Sequence, residues 1–288
     1  MIIRSENANY DENLEVEFHL KNFVNRILMR LNSVLEYLVN NYPDFFLPYV
    51  RALGNRLSII IKQEEEISSA LSALLRNYRL KEKDGKILLV DFFRILRNKM
   101  IEVTKISLNL HKYYEGKSVK RMKITLFDKV RGTIIPQYLI AITLKDIMPR
   151  EESLDFYKKY IDSEYEITGN RSSPLTMLEE ILTLYERESD KTHIFTPFKI
   201  QDGKMGMKIT QCMKERALQV FNKELDREFA YIVECYSDFH RTKRMNERFE
   251  LTRERSLIMG NTYCDFCWHD KRFVEKIEHP NKEFWDEI

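Results

Sequence analysis

Very little in this chain can stop a helix. Only 8 glycines and 7 prolines occur in 288 residues, which favours long helices over a sandwich of short strands and turns. From Phe18 onward the apolar residues agree. Leu20, Phe23, Ile27, Leu31, Val34 and Leu38 recur at three- and four-residue steps, the spacing that lines one buried helix face. Asn40, Asn41 and Pro43 break the run. A second periodic run extends from about Phe45 to Tyr78 with Gly54 inside it, and Lys81–Gly85 makes a charged turn. A third helix is predicted from about Ile87 to Tyr114, ending before Gly116. Residues 18–115 therefore predict a helical domain or dimerisation arm, and the polar, acidic residues 1–17 a flexible lead-in.

Residues 120–167 are again mostly helical in pattern, with Pro136 suited to a first helical turn and Pro149–Glu152 opening a further helix. Gly169–Pro174 reads as a loop, and Ser173 as the cap of a helix over 174–188. Then the texture changes. Pro197–Gly203 is rich in turn residues. Lys204–Cys212 alternates polar and apolar residues and predicts a strand. Lys214 to about Phe239 predicts one helix. Phe249–Ile258 alternates again, Gly260-Asn261 signals a turn, and Thr262–Trp268 is a third strand, pairing with the second as an antiparallel hairpin. The expected class is α+β: a mostly helical N-terminal half, then a domain over 116–288 with a small antiparallel sheet packed on helices.

With 43% hydrophobic and 32% charged residues the composition is globular. A net charge of +2 is too small to argue for nucleic acid or a membrane surface as partner. No apolar run approaches the roughly 18–20 residues of a membrane span, and the N-terminus lacks the apolar core of a signal peptide. The expected location is the cytoplasm, where thiols stay reduced.

Two of the four cysteines fall in Tyr263–Asp270, YCDFCWHD. On an extended strand, residues three apart face opposite sides, so Cys264 and Cys267 make a poor metal knuckle. Cys212 and Cys235 are too widely spaced to complete one. His240 and His269 read as surface histidines. No cofactor is expected; if zinc or iron were bound, Cys212, Cys235 and Cys264 would be its ligands. The other chemistry is a thiolate. Cys212 ends a strand, Cys235 shares a helix face with Asp238, and Cys264 lies in the hairpin. Arg241, Lys243, Arg244, Arg253 and Arg255 make the surroundings basic, which lowers thiol pKa values and suits a carboxylate ligand. The bland reading, in which these are small buried hydrophobes, stays open on spacing alone.

The run MKITQC, then ECYSDF on a helix, then FELTRERSLIMGNTYCDF, resembles the C-terminal region of the L-2-amino-thiazoline-4-carboxylic acid hydrolase family. The family pattern is a strand ending in Cys, a Cys-x-x-Asp helix, an Arg/Thr-rich strand, Gly, and a Cys-Asp-Phe strand. Cys212, then Cys235 with Asp238, then Arg253, Ser256 and Gly260, and finally Cys264-Asp265-Phe266 occupy those places. The likeness covers about 205–268, is looser from about 120, and leaves the first ~115 residues outside. Ser256 stands where the family has Thr, and Cys267-Trp268-His269 departs from it. The hairpin also looks like the vinyl-reductase-type ligand-binding fold.

This resemblance implies hydrolysis of a C–N bond in a small cyclic amidine or thiazoline carboxylate. It implies a nucleophile in the order Cys235, Cys264, Cys212, with Asp238 as proton shuttle. Arg253 would hold the substrate carboxylate, and Ser256, Asp265 and His240 would contact substrate. The helical half, outside the likeness, is expected to form a homodimer. The alternative is a non-catalytic sensor that binds a small molecule or metal in a cysteine-lined pocket.

Overall fold

The computed structural model describes residues 2–3, 9–63, 94–113, 122–168, 175–187 and 191–288. The chain divides into two compact units, Asn13–Tyr160 and Met1–Glu12 with Ile161–Ile288. It opens with a two-residue strand, β1 (Ile2–Ile3), that belongs to the sheet of the second unit.

The first unit is helical. It holds α1 (Leu20–Asn41), α2 (Pro43–Gln63), α3 (Arg94–Ser107), α4 (Leu126–Ile142) and α5 (Arg150–Thr168) as far as Tyr160. All six residues of the predicted α1 face are buried. Tyr49 on α2 donates its hydroxyl to the Ile140 carbonyl on α4 at 2.8 Å, so this buried phenol keeps a partner. Two expectations change here. Residues within the predicted lead-in form β2 (Glu15–Phe18), which pairs antiparallel with β3 (Met122–Thr125). Pro136 lies well inside α4, because the Thr125 hydroxyl accepts from the Asp128 N–H at 3.1 Å and caps the helix eleven residues earlier. The Lys81–Gly85 turn, the end of the second periodic run, the start of the third helix and the Gly169–Pro174 loop lie outside the described residues.

The second unit is built on a five-stranded antiparallel sheet in the order β1-β4-β5-β7-β6. Its other strands are β4 (His193–Gln201), β5 (Lys204–Cys212), β6 (Phe249–Thr252) and β7 (Cys264–Asp270). Its helices are α6 (Glu179–Arg187), α7 (Met213–Leu218), α8 (Arg227–Glu234), α9 (Ser237–Met245) and α10 (Lys282–Asp286). One sheet face buries Met205, Met207, Ile209, Cys264, Phe266 and Trp268 against Leu178 and Ile181. The opposite face buries Phe198, Tyr263 and Cys267 against Trp285 near the C-terminus. Cys264 and Cys267 thus enter different cores, as period-two alternation requires.

Local chemistry explains three departures from the predicted elements. Pro197 stands inside β4 opposite Met207 of β5, not in a turn; the turn is confined to Asp202-Gly203, where Gly203 takes the left-handed φ of 71°. The alternation over Phe249–Ile258 stops being a strand at Thr252, because Asp265 takes the backbone N–H groups of Glu254 and Arg255, described below. The helix predicted over Lys214–Phe239 is three, separated by a turn with Asn222 at φ 46°, by the Asp226 cap of α8, and by a break at Cys235-Tyr236.

Candidate functional site

Arg253 is the hub of the site. Just past β6, its Nη1 reaches Asp238 Oδ2 at 2.9 Å, and its Nη2 reaches the Tyr231 hydroxyl at 3.1 Å and the Cys235 carbonyl at 2.8 Å. The rings of Tyr231, Phe239 and Phe266 lie 4.6–5.2 Å from the guanidinium carbon. Its side chain is 1% exposed. At the break between α8 and α9 the Cys235 carbonyl accepts both from Arg253 and from the Asp238 N–H at 3.1 Å, and Asp238 falls in the first turn of α9.

The segment that carries Arg253 is tied by Asp265, which is 0% exposed. Asp265 Oδ1 accepts from the N–H groups of Glu254 (2.9 Å) and Arg255 (2.7 Å), and Oδ2 from Arg255 Nη1 at 3.2 Å. His279 Nε2 lies 3.1 Å from the same oxygen, without the alignment of a hydrogen bond. Downstream, Leu257 N–H donates to Cys264 Sγ at 3.2 Å, and the Cys264 thiol points at the Ser256 hydroxyl at 3.8 Å. Asp265 and Ser256 therefore spend their polar atoms on the loop between β6 and β7.

Cys212, Cys235 and Cys264 converge electrostatically. Cys264 is close enough for its charged form to be disfavoured by a Cys212 thiolate, and Cys235 by a Cys264 thiolate. Their environments differ. Burial pushes Cys264 up to about 11 and Cys267 to about 12, and it raises Cys235 further still. Burial also acts on Cys212, but His193, the Glu215 N–H and Lys214 all favour its thiolate form. Together these outweigh burial and hold it below the ordinary thiol range. His193 is directly opposite Cys212 in the β4–β5 register, and Thr192 Oγ1 sits 2.9 Å from its Nδ1. Both residues are half-buried. Thiolate character therefore ranks Cys212 first, where the resemblance ranked it third.

Lys214, two residues on, places Nζ 3.3 Å from the Glu234 carbonyl and 3.4 Å from Glu234 Oε2. Burial opposes its charge, but Glu234 and Asp238 outweigh burial and raise it above the ordinary lysine range.

The histidines read as surface groups sit differently. His269 is 0% exposed; its Nε2 and His279 Nδ1 each lie 2.9 Å from the Thr252 hydroxyl. His240 is half-buried, stacked on Tyr165 at 4.9 Å with Nε2 2.8 Å from Asp162 Oδ1. His193, Lys214, Tyr231 and Glu234 escaped the sequence reading. The one available signal was that His193 and Cys212 bracket two successive strands.

Among the described residues, no three His, Cys, Asp or Glu side chains are grouped to hold a metal ion. No helix among them is long and apolar enough to cross a membrane. No family model, curated protein or solved structure matches the chain, so these comparisons add nothing for or against the likeness of residues 205–268 to the thiazoline hydrolases.

Proposed function

We propose that the second unit is a thiol-dependent hydrolase that opens a C–N bond in a small cyclic amidine or thiazoline carboxylate, with Cys212 as nucleophile and His193 as its proton partner. The observation that carries this reading is the cross-strand pair, a half-buried thiol directly opposite an imidazole in the β4–β5 register. The thiolate is the attacking species in such chemistry, and a nucleophile, a base and a third group orienting the base form the usual constellation. Thr192 supplies the third group. The likeness of residues 205–268 to the thiazoline hydrolases supports the bond type.

In the proposed cycle Sγ bonds to the amidine carbon, the C=N pair moves to the ring nitrogen, and that nitrogen takes the imidazolium proton. The exocyclic nitrogen then pushes out the ring nitrogen, giving up one proton to it, and the C–N bond breaks. Water next adds its oxygen to the same carbon and gives one proton to the imidazole. The C–S bond breaks with its pair on sulfur, restoring thiolate and imidazolium. Arg253 and Asp238 position the Cys235 carbonyl and the end of α8 beside this centre.

Turnover of L-2-amino-thiazoline-4-carboxylate by wild type, Cys212→Ser and His193→Gln tests the reading. Loss in both variants, with helix content unchanged, is expected. Full activity of Cys212→Ser would refute it. Stoichiometric zinc or iron in protein purified without added metal, lost in Cys212→Ala, would favour the sensor instead. Homodimerisation through the helical unit belongs to the same proposal, and sedimentation of the intact chain tests it.

A further inference from the structure

We infer that Lys214 is the anion subsite beside Cys212, so that the site selects small electrophiles bearing a carboxylate over neutral ones. This rests on the reading of Cys212 as nucleophile.

The sequence pattern pointed to Arg253 for this role, but its placement argues against it. Arg253 is 1% exposed and already serves Asp238, Tyr231 and the Cys235 carbonyl. Turning it to a ligand would leave the Asp238 carboxylate only the longer Arg241 contact and the Cys235 carbonyl only the Asp238 N–H. Lys214 differs on each count. Its side chain is 30% exposed. It sits in the first turn of α7, two residues past Cys212. Its ammonium has three N–H donors, yet its two contacts, at 3.3 and 3.4 Å, are both to Glu234 and both long for a charged pair. Glu234 precedes Cys235, so Nζ stands between the end of β5 and the end of α8.

The geometry of Lys214 gives the site its preference. Its Nζ keeps donor capacity beyond its two long contacts, and a carboxylate is the acceptor that a charged N–H donor holds most strongly. A neutral electrophile at Cys212 offers no such acceptor.

The test needs no known substrate. Cys212 in the full chain is alkylated with iodoacetate and with iodoacetamide, and its peptide is followed by mass spectrometry. The ratio of the two rates cancels the thiolate fraction, which both share. For wild type the iodoacetate:iodoacetamide ratio is expected to exceed that of N-acetylcysteine by about fivefold, the scale of one partly exposed charge contact. It should fall to the N-acetylcysteine value in Lys214→Gln, persist in Lys214→Arg, and decline in wild type as NaCl is raised. A wild-type ratio equal to that of N-acetylcysteine overturns the inference without any variant. So does an equal fall in Arg241→Gln, whose exposed guanidinium lies 3.6 Å from Asp238, since that would mean a diffuse field. If Cys212 resists both reagents, the nucleophile reading itself fails.

Discussion

The Arg253 guanidinium and the Asp238 carboxylate meet at 2.9 Å, and the arginine that makes this contact is almost wholly buried. The pair joins the end of β6 to the first turn of α9. Removing one partner leaves the other charge in a low-dielectric setting, which costs more than the contact is worth. Asp238→Ala is expected to destabilise the protein by about 3 kcal/mol, and Arg253→Lys to lose the Tyr231 and Cys235 contacts that a single ammonium cannot span. Urea unfolding measures both. A change below about 1 kcal/mol in Asp238→Ala would mean that the surrounding rings and the Cys235 carbonyl suffice.

Cys212 should label before its sister cysteines. At about pH 7 iodoacetamide is expected to modify Cys212 while Cys264 and Cys267, held up near 11 and 12 by burial, stay silent until the chain unfolds. The labelling rate of Cys212 should level off on the acid side of an ordinary thiol. Equal rates at the three cysteines would remove the thiolate from the scheme.

His269 makes stability pH-dependent in a defined direction. Burial, with the positive charge of Lys204 and His279 nearby, lowers its pKa from 6.5 to about 4. The unfolded chain therefore takes up this proton first as pH falls. The stabilisation is complete above about 6.5 and is lost progressively toward pH 4, by about 3 kcal/mol in all. Melting temperatures between pH 7.5 and 5 should fall more steeply in wild type than in His269→Gln. Parallel curves would contradict the assignment.

Asp265 holds the loop that delivers Arg253. Asp265→Ala strands the N–H groups of Glu254 and Arg255 and releases Arg255 Nη1. A loss of about 3 kcal/mol is expected, together with faster amide exchange at Glu254 and Arg255. Exchange unchanged at those two amides would show that the loop is held by other bonds.

Gly206 cannot carry a side chain without moving a ring. A Cβ built there would stand 2.3 Å from the Phe198 ring, which crosses its cross-strand partner to pack edge-on against Trp285 at 5.3 Å. Gly206→Ala is expected to cost about 1–3 kcal/mol and to change the fluorescence of Trp285, measured in a Trp268→Phe background. A stable variant with unaltered emission would show that Phe198 can step aside.

How much of this was written in the chain itself depends on the range of the forces involved. The α1 face, the β5 strand and the opposite facing of Cys264 and Cys267 follow from side-chain period and from scarce helix breakers, so the sequence by itself determined the α+β class and these elements. The single helix drawn over Lys214–Phe239 and the long strand over Phe249–Ile258 failed where side chains distant in sequence compete for backbone groups. Asp265 takes two N–H groups that a strand would have used, and Arg253 takes the carbonyl at a helix break. The site divides the same way. Cys212, Cys235, Cys264, Asp238 and Arg253 were legible as reactive or charged residues in sequence order. Their ranking was not, because a thiol pKa depends on burial and on neighbours that include His193, 19 residues from Cys212, and only the pairing of β4 with β5 sets the two side by side. The tertiary structure alone decided which thiol is held below the ordinary range and which cation is buried among the rings of Tyr231, Phe239 and Phe266.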